Sequence, residues 1–228
     1  MSEKIQTDYV QTGRTQLKRL SERGRFDRAC VHAILDEAFI AHVAVVDRGE
    51  PRSIPFVYAR SGENLFFHGS VANRLLRCLR DGAEACVSVI LVDGLVLARS
   101  AFHHSVNYRS VVLYARAEEV VDPDEKMEAL RLTVEHSTPG RWQDVRPPNR
   151  EELLQTLVVK LPIQEVSAKV RTGDPIDDEA DHALSVWAGV VPMQNTVGEL
   201  LPDEQLRDGL SVPASLRPYR RPAENTSG

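Results

Sequence analysis

The sequence predicts a mainly β fold, a small antiparallel barrel of about six strands with helices at its periphery. Three observations lead there. Apolar and β-branched runs recur at 39–46, 52–59, 65–68, 85–98, 107–120 and 156–171, the first three joined by short turns such as Asp47-Arg48-Gly49 and Ser61-Gly62-Glu63-Asn64. One helical pattern interrupts the series after the third run, without the regular strand–helix alternation that a parallel α/β sheet needs. The chain of 228 residues is 42% hydrophobic and 27% charged, the composition of an ordinary globular protein, and all-β barrels of this length form single units.

Taken in order, residues 1–24 are polar and Arg-rich and read as a loose arm. Asp27 can cap a helix that carries Val31, Ile34, Leu35 and Ala38 on one face. The first three strands then form a meander. A helix over 71–80 follows, with Leu75, Leu76 and Leu79 facing the core and Asp81-Gly82 ending it. Two long strands come next, and in the second Val111, Leu113 and Ala115 alternate with Val112, Tyr114 and Arg116. Asp122-Pro123-Asp124-Glu125 starts another helix, with a capping Asp, Pro at the first helical position and Glu three residues after the cap. Asn149 with Glu152 caps a short helix, and the last strand is broken at Pro162, a bulge or edge signal. Trp187-Ala188-Gly189-Val190 is an apolar island, and the chain after 211 is a Pro-rich tail.

A net charge of −5 gives no general electrostatic case for nucleic acid or an anionic membrane as partner. Cys30, Cys78 and Cys86 show no C-x-x-C spacing and read as small core hydrophobes of a reducing compartment. No apolar run approaches a membrane span and residues 1–13 do not read as a signal sequence, so the expected location is cytoplasmic. Neither a Rossmann nor a P-loop glycine motif occurs, nor H-E-x-x-H, nor a nucleophile elbow. His103-His104 suggests a metal pair, but neighbours on an extended segment point to opposite faces, so no metal site is expected.

The stretch 65–80 carries the strongest chemical signal. A buried strand stops at His68-Gly69-Ser70 and turns into a helix, gathering a hydroxyl, the Asn73 carboxamide and the Arg74 guanidinium at a helix start. Helix starts favour anions, and a cation there is easiest to explain with an anion between them. Asn107-Tyr108-Arg109-Ser110 opens a strand with polar groups, Lys169 and Arg171 share a face at period two, and Trp187 can cover a flat ligand.

Together these segments resemble the pyridoxamine 5′-phosphate oxidase-like flavoproteins of the split-barrel fold, in particular the Nim-type branch named for nitroimidazole resistance. The residues that carry the likeness are Gly24-Arg25, Ile54-Pro55-Phe56-Val57-Tyr58, Phe67-His68-Gly69-Ser70, Asn107-Tyr108-Arg109-Ser110-Val111, Asp124-Glu125-Lys126 with Ala129-Leu130, Ser167-Ala168-Lys169-Val170-Arg171 and Trp187-Ala188-Gly189. The resemblance implies a flexible arm over 1–22, an FMN-binding six-stranded Greek-key split barrel over 23–192 and a C-terminal extension over 193–228. It further implies a homodimer with FMN at the subunit interface. Ile54, Pro55, Phe56 and Val57 would run along the ring, and His68, Gly69, Ser70, Asn73 and Arg74 would take the phosphate side. Asn107, Tyr108, Arg109, Ser110 and Trp187 would complete the pocket. Asn73 stands where the oxidases proper carry a cation, which implies weaker phosphate binding unless Arg52 or an arm arginine compensates. The oxidases' substrate-phosphate residues are not recognisable near the C-terminus, so pyridoxamine phosphate is not the expected substrate. The expected reaction passes electrons from NAD(P)H through FMN to a small flat acceptor such as a nitroaromatic, with His68 as catalytic proton donor. The alternatives are a flavin-binding or sensing protein without turnover, or a split barrel using deazaflavin or haem.

Overall fold

The computed structural model describes residues 8–216. Ten strands form one antiparallel sheet that curls into a half-barrel: β1 (Gly24–Arg25), β2 (Ile40–Asp47), β3 (Glu50–Ser61), β4 (Asn64–Ser70), β5 (Glu84–Leu97), β6 (Ser105–Arg116), β7 (Glu118–Glu119), β8 (Thr156–Pro162), β9 (Glu165–Arg171) and β10 (Gly189–Pro192). The order is β1-β9-β6-β5-β2-β3-β4-β8-β7, with β10 added to β5. The helices are α1 (Arg28–Glu37), α2 (Arg74–Arg80), α3 (Pro123–Ser137) and α4 (Arg150–Leu154).

The antiparallel barrel expected from the strand signals is therefore present, with short accessory strands added. The run over 156–171 supplies two strands instead of one. Pro162 has no N–H to donate, so pairing ends there; β8 joins β4 while β9 joins β6, on the other side of the barrel. Likewise the run over 107–120 stops as a long strand at Arg116.

Local chemistry places the helices as their caps indicate. Asp27 accepts a hydrogen bond from the Cys30 N–H, and Asp122 accepts from Asp124 and Glu125. Asn149 and Glu152 close a reciprocal capping box. The helix expected over 71–80 begins only at Arg74, because Val71 N–H bonds Gln155 O and Ala72 N–H bonds Ser70 Oγ, holding those residues in a turn.

Inside the barrel, Tyr58, Leu65, Phe67, Leu76, Leu79 and Leu113 are fully buried with α1's Val31, Ile34 and Leu35. Each such side chain contributes about 1.5–3 kcal/mol of transfer free energy. A second cluster, Phe66, Val120, Ala129, Leu130 and Val158, fastens α3 to the outside of β4 and β8.

The arm expected to be loose is docked from Asp8 onward. Tyr9 is buried and its hydroxyl donates to Glu63 at 2.7 Å, while Arg14 bridges Glu84 of β5 and Glu165 of β9. Residues 1–7 of that arm, and 217–228 of the C-terminal extension, lie outside the described residues. The rest of the extension, after β10, has turns but no regular elements and exposes Leu200, Leu201 and Leu210. No helix among the described residues is long and apolar enough to cross a membrane.

Candidate functional site

The site begins where two strands part. Along Glu50–Val57, β3 pairs with β2, ending in Val57 opposite Ile40. Along Tyr58–Ser61 it pairs with β4 instead, starting at Tyr58 opposite Phe67. Beyond Phe67, residues His68, Gly69 and Ser70 pair with β8 alone. Each strand therefore keeps one unpaired backbone edge at the split, with peptide N–H and C=O groups that need partners. Pro51 and Pro55 fit this half of β3, because proline is confined to strand edges.

Side chains give the split an apolar lining. Phe56 is buried and meets Phe67 edge-on, with ring centroids 6.1 Å apart. Ile54 and Val57 are 39% and 37% exposed, unusual for apolar strand residues beside a formed core. His68 is half-buried, and its Nδ1 is buried with no hydrogen-bond partner. Burial lowers its pKa, so the imidazole is neutral at pH 7. Gly69 packs closely on α2: a Cβ there would stand 3.0 Å from Leu76 Cδ1, and that side chain would have to shift.

At the far end the chain turns into α2. Ser70 Oγ accepts from Ala72 and Asn73 Oδ1 accepts from Leu76 at 3.1 Å, so both side chains brace the turn itself. The cations lie beside it. Arg74 Nε donates to Asp47 Oδ2 at 2.6 Å, and Arg52 Nε donates to the same oxygen at 2.9 Å. Burial works to raise the Asp47 pKa, but the Arg74 and Arg52 hydrogen bonds outweigh it and hold the carboxyl below its ordinary range. Arg52 and Arg74 are thus held side by side on one carboxylate oxygen.

The remaining expected residues lie elsewhere in the chain. Asn107 is buried, accepts from Arg171 and donates to Gly173 O, fixing the end of β9. Arg109 donates to Asp93 and Glu37, tying α1 to β5 and β6. Tyr108 and Ser110 are half-buried on β6, which is separated from β3 by β2 and β5. Trp187 is 66% exposed just before β10. Within one chain, then, Ile54–Val57, His68–Ser70, Asn73 and Arg74 assemble, and Asn107–Ser110 and Trp187 do not join them.

Two features escaped the sequence reading. Asp47 organises Arg52 and Arg74, with no signal beyond its place in a turn. Arg74, Arg77 and Arg80 recur every third residue, a spacing legible in the sequence but not used. The two histidines turn apart: His104 Nδ1 faces Ser100 O, while His103 Nε2 lies 3.2 Å from Asp178 Oδ2, with Asp181 alongside.

On the sheet's outer side Ile40, Val57 and Ile90 are 37%, 37% and 57% exposed, with His42 and Pro55 paired beside them.

The fold and the split between β3 and β4 define a flavoprotein-type split barrel, and the comparisons agree. Residues 27–170 match the pyridoxamine 5′-phosphate oxidase family, and the chain belongs to that family. Among solved structures it is similar to the flavocytochrome Anf3 from Azotobacter vinelandii, with 41% identity over 90% of this chain and 95% of that one and a TM-score of 0.85. It is similar too to an FAD- and haem-binding protein from Mycobacterium smegmatis, with 36% identity over 86% and 96% of the two chains and a TM-score of 0.82. A candidate 5-nitroimidazole antibiotic resistance protein from Bacteroides thetaiotaomicron shares the fold, at 21% identity over 64% and 86% and a TM-score of 0.55. No curated protein matches the chain.

Proposed function

We propose that this chain is a flavin-binding oxidoreductase, acting as a homodimer, that takes electrons from NAD(P)H and delivers them to a small flat acceptor such as a nitroaromatic. The parting of β3 and β4 beyond Tyr58 and Phe67 carries this reading. It leaves a slot with apolar walls, two hydrogen-bonding backbone edges and paired arginines at one end. The FMN half of a flavin has the matching chemistry: a flat ring, a polar pyrimidine edge and a phosphate.

When bound, the flavin supplies the electron transfer. The open backbone edges at 53–57 and 68–70 would hold the polar edge of the ring, and Phe56 and Ile54, on the inner face of β3, would help keep water from it. Arg74 and Arg52 hold the phosphate, exchanging Asp47 for it in part. His68, neutral at pH 7, carries one N–H and would donate a hydrogen bond to the acceptor. The outer stripe of Ile40, Val57 and Ile90 meets a second copy, and Tyr108, Ser110 and Trp187 complete a pocket from across that contact, while Asn107 is taken up by Arg171 and Gly173.

The test is the visible spectrum of the purified protein, followed by stopped-flow mixing with NADH or NADPH. Flavin bands that bleach and are restored by a nitroaromatic are the expected result. A flavin that stays oxidised leaves a binding protein without turnover. Colourless protein that takes up neither FMN nor FAD overturns the flavin reading.

A second reading adds haem, because the relatives at 41% and 36% identity are described as a flavocytochrome and as an FAD- and haem-binding protein. Neutral imidazole nitrogen is the donor it needs, and His68 Nδ1 is unpartnered while His42 is exposed on the outer face. A Soret band in the same spectrum decides it.

A further inference from the structure

We propose that His103, Asp178 and Asp181 form a site for one divalent metal ion of the Zn²⁺ kind, which fastens the segment between β9 and β10 to the turn between β5 and β6. The site is independent of the flavin and lies outside the split between β3 and β4.

Its donors come from two distant stretches. His103 ends the 3-10 turn Ala101–His103 after β5, while Asp178 opens the turn Glu179–Ala183 and Asp181 lies within it. One imidazole nitrogen and two carboxylate oxygens all lie within 4.8 Å of one another. His103 Nε2 and Asp178 Oδ2 stand 3.2 Å apart, the separation of neighbouring ligands around one ion. Ligand atoms about 2.0–2.2 Å from Zn²⁺ are roughly 3–4.4 Å from each other, so a small turn of the exposed Asp178 side chain closes the set. The neighbour His104 takes no part, since it faces Ser100 O, and the partners of His103 come from 75 residues further along the chain.

Two further observations point to a cation. No Lys or Arg among the described residues pairs with Asp178 or Asp181, and one imidazole, protonated or not, cannot balance two carboxylates held this close. Asp178 also occupies the capping position of its turn, where an Asp carboxylate ordinarily accepts a backbone N–H. It makes no cap hydrogen bond and faces His103 instead.

The cluster is not assembled by its own contacts. Asp177, with its side chain 1% exposed, accepts from the Arg99 N–H and from Arg99 Nη1, each at 2.9 Å. This clamp sets Asp178 against His103 without any ion, and preorganised donors bind more tightly because less ordering remains to be done. A mixed set of nitrogen and oxygen suits Zn²⁺ and its first-row neighbours, whereas Ca²⁺ and Mg²⁺ take shells of oxygen. Trp187 lies further along the same segment, so an ion here holds the stretch that presents it.

The experiment strips the purified full chain with a chelator and titrates it with Zn²⁺ by calorimetry and with Co²⁺ by visible difference spectrum, using Ca²⁺ as the hard-cation control. Wild type is compared with His103→Gln, Asp178→Asn and Asp181→Asn, none of them a core position. One Zn²⁺ per chain should bind, and each substitution should weaken it by about 10–100-fold or more. Hydrogen exchange across 174–188 should slow on addition of Zn²⁺ in wild type and not in the variants. No Zn²⁺ uptake at millimolar ion, or uptake that survives all three substitutions, overturns the proposal. Thiolate bands in the Co²⁺ spectrum assign the ion to the cysteines, and Ca²⁺ binding indifferent to His103→Gln marks an acidic surface only; either result overturns it too. All of these outcomes leave the flavoprotein reading intact.

Discussion

Tyr58 and Phe67 form the last pair between β3 and β4, and their rings stack tilted with centroids 6.1 Å apart. On one side of this rung the strands close the core; on the other they separate into the candidate site. Tyr58 is fixed further by its hydroxyl, which donates to Leu35 O at 2.6 Å and binds α1 to the hinge of the split.

Tyr58→Phe should therefore cost about 1–3 kcal/mol, the penalty for leaving a buried carbonyl without its donor. Urea unfolding should show a lower midpoint with an unchanged slope. A midpoint equal to wild type would show that Leu35 O has another donor.

The neutral state of His68 has a pH consequence. Its folded pKa is lowered by burial, so the unfolded chain takes up a proton at higher pH, near the ordinary value of about 6.5. Stability is then fully present above that value and declines as pH falls below it, with a slope of at most about 1.4 kcal/mol per pH unit for one proton. His32, lowered by burial and by Arg60, adds in the same direction. His68→Gln should flatten the decline between pH 7 and 5. An unaltered slope would mean His68 titrates normally in the folded protein.

Asp47 competes with any phosphate for Arg52 and Arg74. Asp47→Asn should lower the melting temperature of the apo protein, by leaving two cations adjacent, and should tighten flavin binding several-fold, as the gain of one partner for each arginine implies. Melting curves taken with and without flavin separate the two effects. Weaker flavin binding in this variant would place the phosphate elsewhere.

Arg109 is occupied by Asp93 and Glu37, partly exposed at 24% of its side chain. Arg109→Met should destabilise by about 1–2 kcal/mol, less than a fully buried pair because solvent screens it. Flavin affinity measured on the same preparation should not change. A parallel loss of affinity would return Arg109 to the cofactor pocket.

Much of the fold was legible because its signals are local. Asp27, Asp122 and Asn149 announce their helices through hydrogen bonds that reach only three residues, and the alternation of Val111, Leu113 and Ala115 marks the inner face of β6 without reference to any neighbour. The split at 156–171 was half legible: Pro162 signals the break, but only pairing with β4 on one side and β6 on the other shows that the chain crosses to the other side of the barrel there. The site divided in the same way. Ile54–Val57 and His68–Arg74 lie on consecutive strands, so sequence proximity and resemblance sufficed to group them. Asn107–Ser110 are separated from them by two intervening strands, a distance that no spacing rule encodes.

What the sequence alone determined was the antiparallel barrel, the helix starts and the chemical character of the stretch around His68, since periodicity, capping and turn chemistry all act over a few residues. What only the tertiary structure decided was that β3 joins β4 only from Tyr58 onward, that Asp47 draws Arg52 and Arg74 onto one oxygen, and that Arg48 comes to line the same groove as Arg77. Those relationships depend on strand pairing and packing between distant segments, where a guanidinium's partner is set by which backbone it is folded against.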